Sequence, residues 1–464
     1  MAHEIHETAH PLRWRILGFL GVAQLMLILD VTVVAIALPH METDLELSRE
    51  AVTWTVSAYT LTFGGLMLLG GRLADLIGAK RVVLAGLLIF TAASLVTGFA
   101  GTAGVLLGGR VAQGLGAALL SPAALSLVVG LFDGDERNKA LGVWSALGGG
   151  GAALGVLLGG LLTAGPGWPW VFFVNVPIGL VIIAALARML PHRSTAAPRP
   201  RLDVLGAVLV TAASGTLIYA LIRAGEDGWL TAATGWLVLT AAIGYLAFVA
   251  RQKTAGSPMM DIALLARRPV TTGTFLILIA TALMIAVFFL GTFYFQHARD
   301  LGALQTGLLF LPVAVATMLG ANLTGRAIAG VGARPLGVAG LLVAAAGLAL
   351  PALSMQPVTV AIGTAVAGAG TGAIFVVASA TALGQVAPHE SGIASGIVST
   401  FHEFGASIGA AVISSVAAAS LVGDTLSGFT NGFVVAASTA AVAALVATVL
   451  IPPRRPAGDG DLAG

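Results

Sequence analysis

The chain has 464 residues, of which 57% are hydrophobic and only 9% are charged, and its formal net charge is +2. Soluble proteins carry about 25% charged residues, so this composition excludes a soluble globular protein and indicates a chain embedded in a membrane. The absence of cysteine excludes disulfides, thiolate metal sites and cysteine nucleophiles.

Apolar windows of about 20 residues predict fourteen transmembrane helices, here called spans 1 to 14. The polar segment before span 1 is interpreted as a tail and not as a signal peptide, because the apolar stretch after it is too long for a signal-peptide core and contains Asp30. The spans cover residues 14–38, 52–71, 82–100, 105–130, 141–164, 170–190, 204–223, 231–250, 271–295, 304–325, 336–354, 358–384, 393–421 and 429–451.

The positive charges predict that both termini lie on the cytoplasmic side. With the N-terminus inside, all 23 Lys and Arg residues fall on inner segments except Arg49, Arg223 and Arg299 on outer loops and Arg110 within span 4. Cytoplasmic loops carry an excess of Lys and Arg. Because one miscounted helix would reverse this bias for every later loop, the distribution supports fourteen spans.

A block of the sequence returns 254 residues later in the same register. Gly71 and Gly78 of the first copy become Gly325 and Gly332 of the second, since 325 − 71 and 332 − 78 are both 254. The match continues without a gap to Gly155 and Gly409. In membrane transporters, two related halves form a pseudo-symmetric bundle with a site at their interface.

The offset maps span 2 onto span 10 and span 5 onto span 13, a shift of eight spans, so spans 7 and 8 are an inserted pair. Residues 258–265 are either a short amphipathic helix on the inner surface or an ordinary linker. The predicted fold is all-α, with an N-terminal cytoplasmic tail (1–13), a six-helix bundle (14–190), a linker carrying the inserted pair (191–270), a second six-helix bundle (271–452) and a C-terminal cytoplasmic tail (453–464).

Four motifs resemble those of the major facilitator superfamily and, within it, the fourteen-helix drug/proton antiporter family. They are Leu29–Pro39 in span 1, Gly71–Arg81 between spans 2 and 3, Arg110–Gly116 in span 4 and Trp168–Gly179 at the start of span 6. The resemblance implies the major facilitator fold, a multidrug-efflux function and a central cavity lined by spans 1, 4, 9 and 12.

Span 5 follows the antiporter motif in its glycines but has Val156 where the family has a proline. This change removes the expected kink and keeps the small residues that let helix backbones approach closely. The predicted packing residues are Gly142, Gly151, Gly155, Gly159 and Gly160.

Asp30 and Arg110 are the first candidates for proton coupling. A charged side chain inside a bilayer normally faces the bundle interior or a watery cavity. Both lie about 10 Å below the predicted outer ends of spans 1 and 4, and Tyr59 lies at similar depth and could hydrogen-bond either one. An arginine stabilises the aspartate anion, so disturbing the pair lets a proton compete. A static ion pair that fixes the two spans is the alternative.

Glu403 is the second candidate and lies about 15 Å into span 13, near the midplane. It could be a second proton site or bind cationic substrates; a protonated glutamate that only hydrogen-bonds a neighbouring helix is the alternative. His402 is adjacent, but successive helical residues point about 100° apart, so the two are not expected to form a dyad.

The resemblance implies a cytoplasmic latch between spans 2 and 3 that holds the halves together when the protein opens outward. Its predicted residues are Gly71, Arg72, Asp75, Gly78, Lys80 and Arg81. A generic basic inner loop would explain the positive charges but not the glycine spacing.

The predicted substrate wall combines charge from the first half with neutral residues from the second. Met and Phe form adaptable apolar surfaces that accept many ligand shapes, although such residues more often serve helix packing. The predicted substrate-binding residues are Asp30, Tyr59, Gln113, Met284, Phe288, Thr364, Thr371, Phe375 and Glu403.

Together these features predict a proton-coupled secondary transporter in a bacterial cytoplasmic membrane that exports hydrophobic or cationic drugs. A dedicated exporter of one endogenous metabolite, antibiotic or lipid is the alternative, and a non-transporting sensor is a third possibility. We expect a monomer that is surrounded by membrane lipids and has no nucleic-acid partner. We also expect no enzymatic activity, cofactor or metal, because the sequence has no phosphate-binding loop, metal-ligand spacing or nucleophile–base constellation.

Overall fold

The computed structural model describes residues 11–190, 202–384, 386, 390–422 and 425–451. Most of the predicted N-terminal tail, the start of the linker and the C-terminal tail lie outside these residues. In chain order the helices are α1 (Arg13–Asp44), α2 (Arg49–Ile77), α3 (Ala79–Gly98), α4 (Ala103–Leu131), α5 (Gly134–Ala164), α6 (Trp170–Phe173), α7 (Asn175–Met189), α8 (Val204–Asp227), α9 (Ala232–Thr254), α10 (Ile262–Ala266), α11 (Arg268–Phe293), α12 (Ala303–Val331), α13 (Ala333–Leu353), α14 (Pro357–Leu383), α15 (Ser391–Val416), α16 (Ala418–Val422) and α17 (Ser427–Leu450), with a π-helical turn at Tyr294–Ala298.

Within the described part of the chain, thirteen helical segments are long and apolar enough to cross a membrane. The remaining predicted span, span 5, corresponds to α5. Within α5 the apolar helical stretch is Leu154–Ala164, which is shorter than the thirteen segments counted above. The all-α membrane architecture is therefore confirmed, whereas the count of fourteen spans and the cytoplasmic position of both termini stay predictions. The ends predicted to face outside are called the outer ends below.

Local chemistry explains where several helices begin. The Ser48 hydroxyl accepts a hydrogen bond from Ala51 N at the start of α2, and the Asp203 carboxylate accepts one from Gly206 N at the start of α8. These side chains satisfy backbone N–H groups that the first helical turn leaves unpaired.

Helix α1 is longer than predicted, because it continues through Pro39 to Asp44. Proline removes one backbone donor, yet the helix persists here and Thr43 Oγ1 donates to Pro39 O at 3.0 Å. Asp30 therefore lies 14 residues, or about 21 Å, from the end of α1 at Asp44, whereas the predicted depth of about 10 Å was counted from near Pro39.

The packing follows the repeat. In the first half α4 packs on α2 and α3, and α5 packs on α1; in the second half α14 packs on α12 and α13, and α15 packs on α11. The halves meet where α5 contacts α12 and where α15 contacts α2, and the repeat exchanges these two contacts. This confirms two pseudo-symmetric bundles.

The inserted helices α8 and α9 pack against each other, and α8 also contacts α2 and α15, one helix from each half. Between the insertion and α11 lies the short helix α10, which overlaps the C-terminal half of the segment 258–265 that was predicted as an amphipathic helix or a linker. Its Leu264 is fully buried with Met260 and Val270, so this part of the linker packs on the protein.

Candidate functional site

Asp30 on α1 and Arg110 on α4 form an ion pair in which both side chains are almost fully buried. Arg110 also donates from Nε to Thr55 O at 2.8 Å and from Nη1 to Gln113 Oε1 at 3.0 Å. Gln113 Nε2 in turn donates to Asp30 Oδ1 at 3.1 Å and to Ser94 Oγ at 2.9 Å. Both buried charges thus have further hydrogen-bond partners besides each other, which a buried pair needs to persist.

Tyr59 belongs to this network through its ring. The Arg110 guanidinium carbon lies 4.4 Å from the ring centroid, a cation–π contact. The Tyr59 hydroxyl donates to Leu27 O at 3.4 Å, so the expected hydrogen bond to Asp30 or Arg110 is corrected. Helix depth alone predicted the proximity but not the direction of the side chain.

A cavity of about 540 Å³ lies between the two halves, within the size range of sites for drug-sized ligands. Its lining residues come from α1, α2, α4, α11, α12, α14 and α15 and lie around the middle of these helices, from Ala35 and Phe288 on the outer side to Gln24 and Ser379 on the inner side. Among the predicted substrate-binding residues, Met284, Phe288, Phe375 and Glu403 line it.

Five predicted substrate-binding residues are not among the described lining residues. Asp30, Tyr59 and Gln113 are sealed in the ion-pair network, while Leu27 and Val31 of α1 face the cavity. Thr364 and Thr371 are fully buried, and their hydroxyls donate to carbonyls of their own helix, Val360 O at 2.8 Å and Gly368 O at 2.9 Å.

Glu403 is the only carboxylate among the described lining residues. Its neighbourhood is tight, since a Cβ added at Gly64 of α2 would lie 2.7 Å from Glu403 Cβ. Ser407, one turn further along α15, shares a short hydrogen bond of 2.5 Å with Thr60 of α2. Hydrogen bonds and close packing therefore hold α2 against α15 at the level of this acid.

His402 also lines the cavity, although it was not predicted as a site residue. Its Nδ1 lies 3.0 Å from Thr281 Oγ1, and its ring packs on Phe375 with 5.7 Å between centroids. The cavity is wide enough for two helical neighbours that point about 100° apart to reach it. His402 stands beside Glu403 in the sequence, but the angle between successive helical residues did not predict that it would act with that acid.

The outer end of the bundle is closed by contacts between the halves. Gln296 Nε2 donates to Ile36 O at 2.9 Å, and a Cβ at Gly160 would lie 2.9 Å from Ala303 O. On the opposite side of the interface, Arg49 of α2 donates to Ser414 O of α15 at 3.3 Å. This arrangement leaves the cavity on the inner side of the closure.

The glycines predicted to pack in α5 divide into three groups. A Cβ at Gly151, Gly155 or Gly159 would meet side chains or backbone of α1, and one at Gly160 would meet α12. At Gly142 a Cβ would meet no described atom within 4 Å. Gly142 therefore does not fit the predicted packing role, whereas the other four fit it.

The predicted latch residues lie at the inner ends of α2 and α3. Gly78 has φ of 93° and its repeat partner Gly332 has φ of 96°, a conformation that favours glycine and explains the conserved spacing between the halves. Lys80 Nζ donates to Ala187 O at 3.0 Å, within its own half. The latch role of Gly71, Arg72, Asp75 and Arg81 stays a prediction.

The offset of 254 also relates two ion pairs that the sequence analysis missed. Arg13 Nε contacts Glu136 Oε2 at 2.8 Å, and Arg267 Nη1 contacts Glu390 Oε2 at 2.7 Å. Arg267 and Glu390 lie 254 positions after Arg13 and Glu136. Each pair lies at the inner end, between the start of the first helix of a half and the start of the fifth. Extending the offset to Arg13 would have shown that both partners recur, although not that they pair.

Comparison with known proteins agrees with this architecture. The family model described as Major Facilitator Superfamily matches residues 20–329 and again residues 274–463. The second match begins 254 residues after the first (274 − 20), as the internal repeat does. Together the two matches cover nearly the whole chain.

Curated relatives share about a third of their residues with this chain over most of its length. The puromycin resistance protein pur8 of Streptomyces alboniger is 35% identical, over 97% of this chain and 93% of that protein. The lincomycin resistance protein of Streptomyces lincolnensis is 33% identical over 96% and 92%. The multidrug resistance protein Stp of Mycobacterium tuberculosis is 32% identical over 86% and 75%.

Solved structures share the fold at low sequence identity. A bacterial homologue of the human lysosomal transporter Spinster, in an inward-facing and unoccupied conformation, superposes with a TM-score of 0.66 at 15% identity, over 95% of this chain and 98% of that one. A peptide transporter POT superposes with a TM-score of 0.66 at 18% identity, over 93% of both chains. From its two family-model matches, its relatives and its fold, the chain belongs to the Major Facilitator Superfamily of membrane transporters.

Proposed function

We propose that the protein is a drug/proton antiporter of a bacterial cytoplasmic membrane, which exports hydrophobic and often cationic compounds by alternating access. The observation that carries this proposal is the central cavity, whose described wall is mostly apolar and aromatic with Glu403 as its one carboxylate. Such a wall accepts varied apolar shapes through Met and Phe, while a single acid in a low-dielectric site favours a cation.

The relatives support the same function. Several are named for resistance to, or export of, antibiotics, among them puromycin, lincomycin and tetracenomycin C. These compounds differ in structure, and the relatives that handle them share about the same degree of identity with this chain. An exporter of antibiotics or drugs is the function that these similarities favour.

For coupling, we propose that Glu403 exchanges a proton for a cationic substrate. The buried Asp30–Arg110 pair would respond when α1 and α4 move relative to each other, because separating the arginine from the carboxylate lets a proton replace it. Protons, substrates and surrounding lipids are then the partners of a protein that acts as a monomer. The segment Gly71–Arg81 would latch the halves at the inner end in the outward-open state.

Purified protein in proteoliposomes, with tetraphenylphosphonium as substrate and a pH-sensitive dye inside, tests this function. We expect substrate-dependent proton movement for the wild type. Asp30→Asn should uncouple transport from the proton gradient, and Glu403→Gln should reduce export of the cation more than that of a neutral compound. The control is Glu50→Gln, in the first turn of α2 and outside the cavity lining. Substrate flux without any proton movement in the wild type would refute antiport.

A dedicated exporter of one antibiotic is the second candidate, because most of the relatives named above carry the name of a single compound. A panel of chemically unrelated dyes and antibiotics separates the two functions. A multidrug exporter moves several scaffolds with similar KM values. A dedicated exporter moves one scaffold only.

A further inference from the structure

The hydrogen bonds of Thr281 bear on which nitrogen of His402 carries its proton. Thr281 Oγ1 lies 2.9 Å from Ile277 O, to which it can only donate, and 3.0 Å from His402 Nδ1, to which it can donate or from which it can accept. While its single hydrogen is donated to Ile277 O, the hydroxyl oxygen accepts from Nδ1. In that arrangement Nδ1 carries the proton, and Nε2 of the uncharged imidazole is a hydrogen-bond acceptor.

Two acceptors on α15 thus belong to the cavity wall. Among the described residues, neither His402 Nε2 nor the Glu403 carboxylate has a hydrogen-bond partner from the protein. Neither is one of the fully buried polar atoms that lack a partner, and both residues line the cavity. A mostly apolar wall favours the uncharged form of the imidazole, because a second cation beside a cationic substrate would be both desolvated and repelled. Both groups are consequently available to a ligand.

We infer that the cavity selects compounds that carry an amine with N–H groups, bound by the Glu403 carboxylate and by His402 Nε2 together. This inference rests on the proposed export function and adds the substrate class. A protonated primary or secondary amine donates two or more hydrogen bonds and can satisfy both acceptors. A quaternary ammonium or phosphonium ion has no N–H group, so it is attracted by Glu403 alone and leaves His402 unused.

Thr281 and Phe375 are positioning residues for this selection. In this arrangement Thr281 holds the proton on Nδ1, and the ring of Phe375 packs against the imidazole at an interplanar angle of 40°. Losing the Thr281 hydroxyl would free the proton to move to Nε2, which turns the acceptor into a donor. The hydroxyl therefore contributes to selectivity through His402.

The experiment compares a primary aromatic amine with its N,N,N-trimethyl derivative on the same scaffold, by initial export rates in proteoliposomes. His402→Phe keeps an aromatic ring against Phe375 and removes the acceptor. We expect KM for the primary amine to rise about tenfold, the loss of one hydrogen bond to a charged group, and the KM of the trimethyl compound to rise much less. His402→Gln, which retains a carbonyl acceptor, should restore part of the discrimination.

Thr281→Val serves as the second variant, because it leaves His402 in place. It should move the ratio of the two KM values in the same direction as His402→Phe. Equal effects on both compounds, or no effect on either in these variants, would overturn the inference while export itself persists. If the wild type exports neither compound nor tetraphenylphosphonium, that result refutes the proposed export function itself.

Discussion

The ion pair of Asp30 and Arg110 is the residue-scale feature with the clearest energetic consequence. Removing one partner leaves an uncompensated charge in a site that excludes water, which typically costs about 3–5 kcal/mol. We therefore expect Arg110→Leu to lower the thermal midpoint of the detergent-solubilised protein strongly. Combining it with Asp30→Leu should recover much of that loss, because both charges are then gone.

Transport separates a structural pair from a coupling pair. If the double variant regains stability but not proton-driven export, the pair works in coupling. If it regains both, the ion pair only fixes α1 against α4. Intrinsic tryptophan fluorescence during heating and the proteoliposome assay measure the two properties on the same preparations.

The sequence indicated similar depths for Asp30 and Arg110, and the resemblance implied that their spans line one cavity, so together they predicted this pair. It could not predict that Tyr59 turns its ring to Arg110, or that Thr364 and Thr371 bond their own helix. The direction of a side chain depends on the rotation of each helix about its axis, and helix packing sets that rotation. For the same reason the cavity role of His402 was missed.

At the scale of the helix, Gly155 offers a sharp comparison with Gly142 in α5. A Cβ at Gly155 would overlap the side chain of Thr32 on α1, whereas Gly142 faces no described atom within 4 Å. We expect Gly155→Val to destabilise the protein by about 1–3 kcal/mol through overpacking. Gly142→Val should change the thermal midpoint little. Similar losses in both variants would contradict this assignment of the packed face.

The inserted pair is held together by Asp203. Its carboxylate accepts from Gly206 N at 3.1 Å, Arg251 Nε at 2.9 Å and Gln252 Nε2 at 2.7 Å, which joins the start of α8 to the end of α9. Burial by itself would raise the pKa of Asp203, but the hydrogen bonds from Arg251, Gly206 and Gln252 and the charge of Arg251 outweigh it and hold the pKa below its usual value.

Because the pKa of Asp203 is lower in the folded than in the unfolded protein, its ionised carboxylate stabilises the fold. This stabilisation is complete above the unfolded pKa of about 4 and is lost as pH falls through the folded pKa. Asp203→Ala should therefore lower the thermal midpoint at pH 7, with about 1 kcal/mol from the lost helix cap alone. The gap to the wild type should shrink below pH 4. Asp227→Ala, which breaks an exposed pair with Arg223, is the control and should have a much smaller effect.

At the scale of the whole molecule, the internal repeat explains why the fold was more predictable than the site. The offset of 254 fixes which helices correspond, and the contacts of α5 with α12 and of α15 with α2 follow that correspondence. The candidate functional residues depart from it, since Glu403 of the cavity wall falls on Gly149 and Arg110 of the buried ion pair falls on Thr364 under the offset. Two symmetric halves can share a scaffold, whereas the Asp30–Arg110 pair comes from the first half alone and Glu403 from the second half alone.

The inserted helix α8 contributes to the closure of the outer end through Arg49. This buried side chain on α2 donates to Ile222 O of α8 at 3.0 Å and pairs with Glu226 Oε1 at 3.0 Å, besides its bond to Ser414 of α15. One arginine thus joins both halves to the insertion in the state that is closed at the outer end. Opening that end must break these bonds.

Arg49→Ala should therefore shift the population toward outer opening. Because the chain has no cysteine, Thr53→Cys and Ser414→Cys can be introduced directly, at hydroxyls that lie 2.5 Å apart across the interface. Oxidation should cross-link this pair readily in the otherwise unchanged protein. In the Arg49→Ala background the cross-linking rate should fall several-fold, since a lost charge-assisted bond of about 1.5–3 kcal/mol favours separation of α2 from α15. Arg223→Ala removes an exposed arginine that pairs only within α8 among the described residues, and an equal fall in that control would assign the effect to general loosening of α8.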